Sequence, residues 1–119
     1  MVRIEKVSAI TIEVGDMGRA VRFYRDILGL EILYGGEDAS FSSFRTGSID
    51  SVILNLELGK PVRGWGRMVL YVSDVDETWA HLTERGFHPD LPRDAPWGER
   101  YFHMPDPDGN ELSFAEPLP

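Results

Sequence analysis

His103 is the residue best placed to move a proton. It falls in the alternating run Arg100 to Met104, whereas His81 lies on the polar side of a helical stretch and His88 just beyond its end. An imidazole titrates near neutral pH, so His103 with a carboxylate, Glu13 or Glu111, forms a candidate acid–base couple. Arg67 is a permanent cation whose forked donors suit a carboxylate, phosphate or phenolate of a ligand; its competing use is an internal salt bridge to Glu13 or Glu111. Tyr71, Tyr101 and His103 can stack on a ring or hydrogen-bond to it, and Asn55 and Ser113 add neutral polar groups. Trp65 and Trp97 lie in flanking loops, where aromatic side chains either rim a pocket or lie as lids over a core.

Several other chemistries are excluded. With no cysteine among 119 residues, disulfides, thiolate metal sites and thiol nucleophiles are ruled out. No G-x-S-x-G frame is present, and Gly15 and Gly18 fit neither nucleotide-binding fingerprint. A formal charge of −8 disfavours nucleic acid and anionic lipid as partners. The longest apolar runs are a few residues, and polar and charged residues follow Met1, so neither a membrane span nor an apolar leader is expected. A cytoplasmic, reducing location fits this composition.

The elements that must position these residues repeat. Ile10 to Asp16 (ITIEVGD) reads as a strand running into a helix cap, and Met68 to Asp74 (MVLYVSD) reads the same way, offset by 58 positions (10 to 68). Each alternates with period two and ends on an aspartate able to cap the following helix. Ala20, Val21, Phe23, Tyr24, Ile27 and Leu28 form the apolar stripe of the first helix, closed by Gly29; Val75, Trp79 and Leu82 form that of the second, closed by Gly86. Trp79 is assigned to the core. Strands are expected at Glu31 to Tyr34, Ser40 to Arg45 and Ser51 to Leu56, then near Phe87-His88, at Arg100 to Met104 and at Glu111 to Ala115. Asp106-Pro107-Asp108-Gly109 is a tight turn, and Asp90 to Gly98 a stiff irregular loop. The reading is one α+β domain over 1–119, made of tandem βαβββ repeats: repeat one at 7–58, a linker at 59–66, and repeat two at 67–116.

Alternation then sorts the faces. Ala9, Thr11 and Glu13 share one face of their strand, as do Ile53 and Asn55; Arg67, Val69 and Tyr71; Tyr101 and His103; Glu111, Ser113 and Ala115. The opposite sets, including Ile10, Ile12, Val14, Met68, Leu70, Val72, Leu112 and Phe114, are apolar and should pack beneath the helices. Phe41 and Phe44 point to opposite faces of one strand, so only one can join the polar set.

The stretches ITIEVGDMGRAVRFYRDILGLEI and WGERYFHMPDPDGNELSFAEP, in this order and separation, resemble the entry segment and closing hairpin of the vicinal-oxygen-chelate superfamily, which includes glyoxalases, bleomycin-resistance proteins and extradiol dioxygenases. The resemblance implies a cup-shaped mixed sheet with helices on its outer face, and pairing of two chains into a homodimer. It also implies a divalent metal held at four places, which align here with Ala9, Asn55, Arg67 and Ser113. None is His, Glu or Gln, and Arg67 puts a fixed positive charge where the cation would sit. No metal and no other cofactor is therefore expected. The expected function is metal-independent binding and sequestration of a small aromatic or hydrophobic molecule, such as an antibiotic. An acidic protein suits a cationic compound, while Arg67 calls for an anionic or accepting group on it. Two alternatives are a metal-free lyase or isomerase using His103 with Glu13 or Glu111, and a metalloenzyme, lyase or dioxygenase, with relocated ligands.

Overall fold

A computed structural model describes all 119 residues and divides into two compact units, Met1–Pro61 and Val62–Pro119. Each unit is a four-stranded mixed sheet with a helix on one face.

In the first unit β1 (Ala9–Val14) runs parallel to β4 (Ile53–Leu58), which is antiparallel to β3 (Phe41–Arg45), which pairs with β2 (Glu31–Tyr34). The Asp16 carboxylate accepts from the Arg19 amide, so α1 (Met17–Arg22) starts where its cap residue stands. The helix does not stay α: Phe23–Ile27 forms a π-helical turn in which the Leu28 amide reaches the Phe23 carbonyl. Gly29, at φ 75°, takes the left-handed conformation that ends it. Ile12, Val14, Val21, Tyr24, Phe44, Leu54 and Leu56 are buried together as the core. Phe44 is thus the core-facing phenylalanine, and Phe41 shares the other face with Ser43.

In the second unit the order is β5 (Arg67–Tyr71), β8 (Glu111–Pro117), β7 (Glu99–Pro105), β6 (Arg93–Asp94), with β5 and β8 parallel. Asp74 caps α2 (Val75–Glu84) by accepting from the Glu77 amide. Val75 and Leu82 are fully buried, and Phe102 stacks on Phe114 at 5.1 Å beneath them. Trp79 is half-buried, with its indole N–H shielded from water and unpartnered. The strand expected near Phe87-His88 is absent. The edge strand is instead the two-residue β6, inside the loop read as irregular, and the segment near His88 contributes one ladder-like bond, from the Asp90 amide to the His103 carbonyl. Pro89 and Pro92 flank this stretch and remove the amides a longer edge strand would need.

The 106–109 turn forms as expected, with the Gly109 amide bonded to the Asp106 carbonyl and Gly109 at φ 87°. Asp106 is buried, and its carboxylate accepts from the amides of Asp108 and Asn110 and from the Asn110 side chain. Trp65 in turn donates to the Asn110 side-chain Oδ1 at 2.9 Å, which ties the approach to β5 onto the start of β8.

Candidate functional site

The face of each sheet turned away from its helix carries the polar residues selected by alternation. In the second unit, register lays them out as a grid. Arg67 lies opposite Glu111, Val69 opposite Ser113 and Tyr71 opposite Ala115; across β8, Ser113 lies opposite His103 and Ala115 opposite Tyr101. The short side chains of β8 therefore lie between Val69 and Tyr71 on one side and His103 and Tyr101 on the other. Ser113 and Ala115 are buried beneath these larger neighbours, while Val69 and Tyr71 remain 56% and 65% exposed.

Three rings form a row along this face. Trp97 and Tyr101 are 5.6 Å apart, and Tyr101 and His103 are 5.1 Å apart, all tilted. Arg93 fixes the middle ring: its guanidinium sits 5.0 Å from the Tyr101 centroid and donates to the phenol oxygen at 2.8 Å. Glu99 holds one end of the row and a ring on β5, accepting from the Trp97 indole N–H at 2.8 Å on one oxygen and from the Tyr71 hydroxyl on the other. That bond raises the Tyr71 phenol above its ordinary value of 10.0, with burial and the nearby negative charge adding to it.

His103 is half-buried on this face. Its Nδ1 lies 2.7 Å from the Ser113 hydroxyl. Burial lowers its pKa below the ordinary 6.5, and the positive charges of Arg67 and Arg93 lower it further, against weaker opposite pulls from Asp90 and Glu111. The ring is consequently neutral at pH 7, with Nε2 left to act. His103 also lines a cavity of about 330 Å³, together with Arg63, Arg67, His88, Asp90 and Glu111.

The sequence-derived residues are only partly brought together. Arg67, Tyr71, Tyr101, His103 and Ser113 share one face of the second unit. No hydrogen bond joins His103 to Glu111, which takes the Arg67 guanidinium at 2.9 Å, the internal salt bridge anticipated for that arginine. Glu13 belongs to the first unit, where it lies beside Gly59. Asn55 is engaged there as well, accepting from Ser43 at 2.7 Å and donating to Thr11 at 3.2 Å. Trp97 joins the ring row, whereas Trp65 is held by the 106–110 turn. Glu99 was legible in principle, since it continues the period-two series of Tyr101 and His103; Arg63, His88, Asp90 and Arg93 lie in loops or in a two-residue strand and give no periodic signal.

The four positions implied for a metal do not fit one. Ala9 has no donor, Arg67 is a cation bound to Glu111, the Ser113 hydroxyl is taken by His103, and the Asn55 oxygen is taken by Ser43. One acidic cluster, Asp74, Asp76 and Glu116, lies at none of these positions, and Asp76 is occupied by Arg100.

Known proteins resemble this chain in sequence and fold. The chain is 31% identical to a Sphaerobacter thermophilus member of the glyoxalase/bleomycin resistance protein/dioxygenase superfamily, superposing with a TM-score of 0.79 over 95% of this chain and 98% of that one. TnmS3, an antibiotic binding protein from Streptomyces sp. CB03234, is 28% identical with a TM-score of 0.78 over 98% and 99% of the two chains. The bleomycin resistance protein of Geobacillus stearothermophilus is 27% identical over 88% of this chain and 92% of its own. The family description "Glyoxalase/Bleomycin resistance protein/Dioxygenase superfamily" matches residues 6–114, and with the two βαβββ units this shows that the chain belongs to that superfamily.

Proposed function

We propose that the protein binds and sequesters a small aromatic or hydrophobic molecule, such as an antibiotic, without a metal ion. The observation that carries this reading is the row Trp97–Tyr101–His103, fixed by Glu99 and Arg93 on the sheet face away from α2 and ending at a polar cavity. Rings fixed by hydrogen bonds at their polar ends offer stacking area at little further cost in side-chain entropy. The bleomycin-resistance and antibiotic-binding relatives support small-molecule binding as the general function. Metal independence is supported by the donor set, since the groups at the implied ligand positions are committed elsewhere.

Tryptophan fluorescence titrated with a panel of aromatic antibiotics tests the proposal. Saturable quenching with the compound recovered unchanged, insensitive to chelator, and weakened about tenfold or more in Tyr101→Ala, is the expected outcome. A chelator-sensitive complex, or a near-stoichiometric metal in the purified protein, would refute metal independence.

One observation favours a second reading, a metal-free lyase or isomerase. His103 is neutral, anchored at Nδ1 and faces a cavity, the condition of a general base. Conversion of a bound compound that survives chelator and disappears in His103→Ala would favour it. We also infer that two copies pair, as the superfamily resemblance implies, with Leu58 leaving apolar surface exposed on the first unit. Sedimentation equilibrium should then give twice the 13.5 kDa chain mass; a monomer at tens of micromolar would refute pairing.

A further inference from the structure

We propose that the ligand of this site is an aromatic acid, with its ring on the Trp97–Tyr101–His103 row and its anionic group in the adjoining cavity against Arg63 and Arg67. The inference rests on the binding reading above and narrows its ligand class.

The ring row and the cavity are one continuous feature, because His103 belongs to both. A planar molecule lying along Tyr101 is therefore directed toward the cavity end of the sheet. Two guanidinium groups line that end. Arg67 spends one nitrogen on Glu111, and the remaining N–H donors of its planar fork stay available. Arg63 makes no ion pair and lies against Gly109, where a single Cβ would come within 2.9 Å of its guanidinium carbon. Gly109 thus leaves the room in which Arg63 lies beside the cavity.

The cavity also contains Asp90 and Glu111, so the sign of its field has to be decided rather than assumed. Glu111 is neutralised by Arg67. At the His103 ring, Arg67 and Arg93 act more strongly than Asp90 and Glu111, although the chain carries −8. An incoming carboxylate would accept charge-assisted bonds from Arg63 and Arg67, which are stronger than neutral ones. With Arg67 and Glu111 cancelling as a pair, an ammonium group would meet Arg63 and Asp90, one charge of each sign, beside guanidinium N–H donors that offer it no acceptor. The site is accordingly biased against the cationic compounds that the overall acidity would attract.

Three isosteric probes test this on the full chain at about pH 7.5, where His103 is neutral: 2-naphthoate, 2-naphthamide and 2-naphthylmethylammonium, followed by tryptophan fluorescence or calorimetry. The expected order has the acid bound about tenfold tighter than the amide, and the ammonium weakest. Arg63→Gln should remove that tenfold preference by weakening the acid much more than the amide. Raising salt from about 0.05 to about 0.5 M should weaken the acid alone. Equal affinity for acid and amide, or an Arg63→Gln loss shared by both, overturns the aromatic-acid inference while the binding reading stands. Tightest binding of the ammonium overturns it in favour of a cationic ligand. Binding of none of the three overturns the inference, and failure of the antibiotic panel besides would take the binding reading with it.

Discussion

Glu99 shows how a single carboxylate can organise a surface of rings. It receives both the Tyr71 hydroxyl and the Trp97 indole N–H, so two exposed aromatic side chains on different elements are held by one residue. Glu99→Ala should release both, and the phenol of Tyr71 should then titrate closer to pH 10, its ordinary value. Absorbance titration at alkaline pH, with Tyr71→Phe to identify the transition, reads this directly; an unchanged transition would count against the bond. His103 makes a different prediction. Its folded pKa lies below 6.5, so the unfolded chain takes up the proton first. The stability associated with the neutral ring is complete above about pH 6.5 and is lost as pH falls through the depressed folded value. Asp26 and Glu37, held below their ordinary values mainly by Arg25, also lose stability as pH falls, but in the lower window of carboxylates. Urea unfolding between about pH 7 and pH 5 should therefore weaken the wild type more than His103→Gln; parallel slopes would refute the assignment. At this scale, period-two alternation made Arg67, Tyr71, Tyr101, His103 and Ser113 legible as one face. The pairing of His103 with Ser113 rather than Glu111 was not, because it depends on which strands become neighbours.

The buried turn at 106–110 is the element with the most concentrated hydrogen bonding. Asp106→Ala would leave two shielded amides and the Asn110 side chain without their acceptor, at a cost of about 3 kcal/mol. The loss should appear as a lower urea midpoint with the slope unchanged; a cost below about 1 kcal/mol would mean that water replaces the carboxylate. Asp74→Ala removes only a cap bond from the start of α2 and should cost about 1 kcal/mol. Both features were readable in the sequence, because an Asp before an apolar stripe and an Asp-Pro-Asp-Gly run each have a local mechanism. So was β2, whose residues Glu31–Tyr34 form the strand as expected. The π-helical turn at Phe23–Ile27 was not readable: it keeps Phe23 and Tyr24 buried together, an outcome of packing and not of propensity. Neither was β6, a two-residue strand between Pro92 and Pro96, whose pairing is set by β7 beside it.

At the scale of the molecule, duplication was visible as a repeated strand-and-cap pattern and recurs as two sheets of equivalent order, β1-β4-β3-β2 and β5-β8-β7-β6. In both sheets the first strand made has a single neighbour, and that neighbour is the last strand of its unit. β1 waits for β4, and β5 waits for β8, with Arg67 finding Glu111 across 44 positions of chain. Contacts of such separation are slow to form, because loop closure precedes any gain from pairing. During synthesis, the strands of the first unit are complete once Leu58 has been added, before any residue of the ring row and cavity is made. Those site residues come together only at the end of translation, when β8 inserts between β5 and β7 and brings Ser113 to His103.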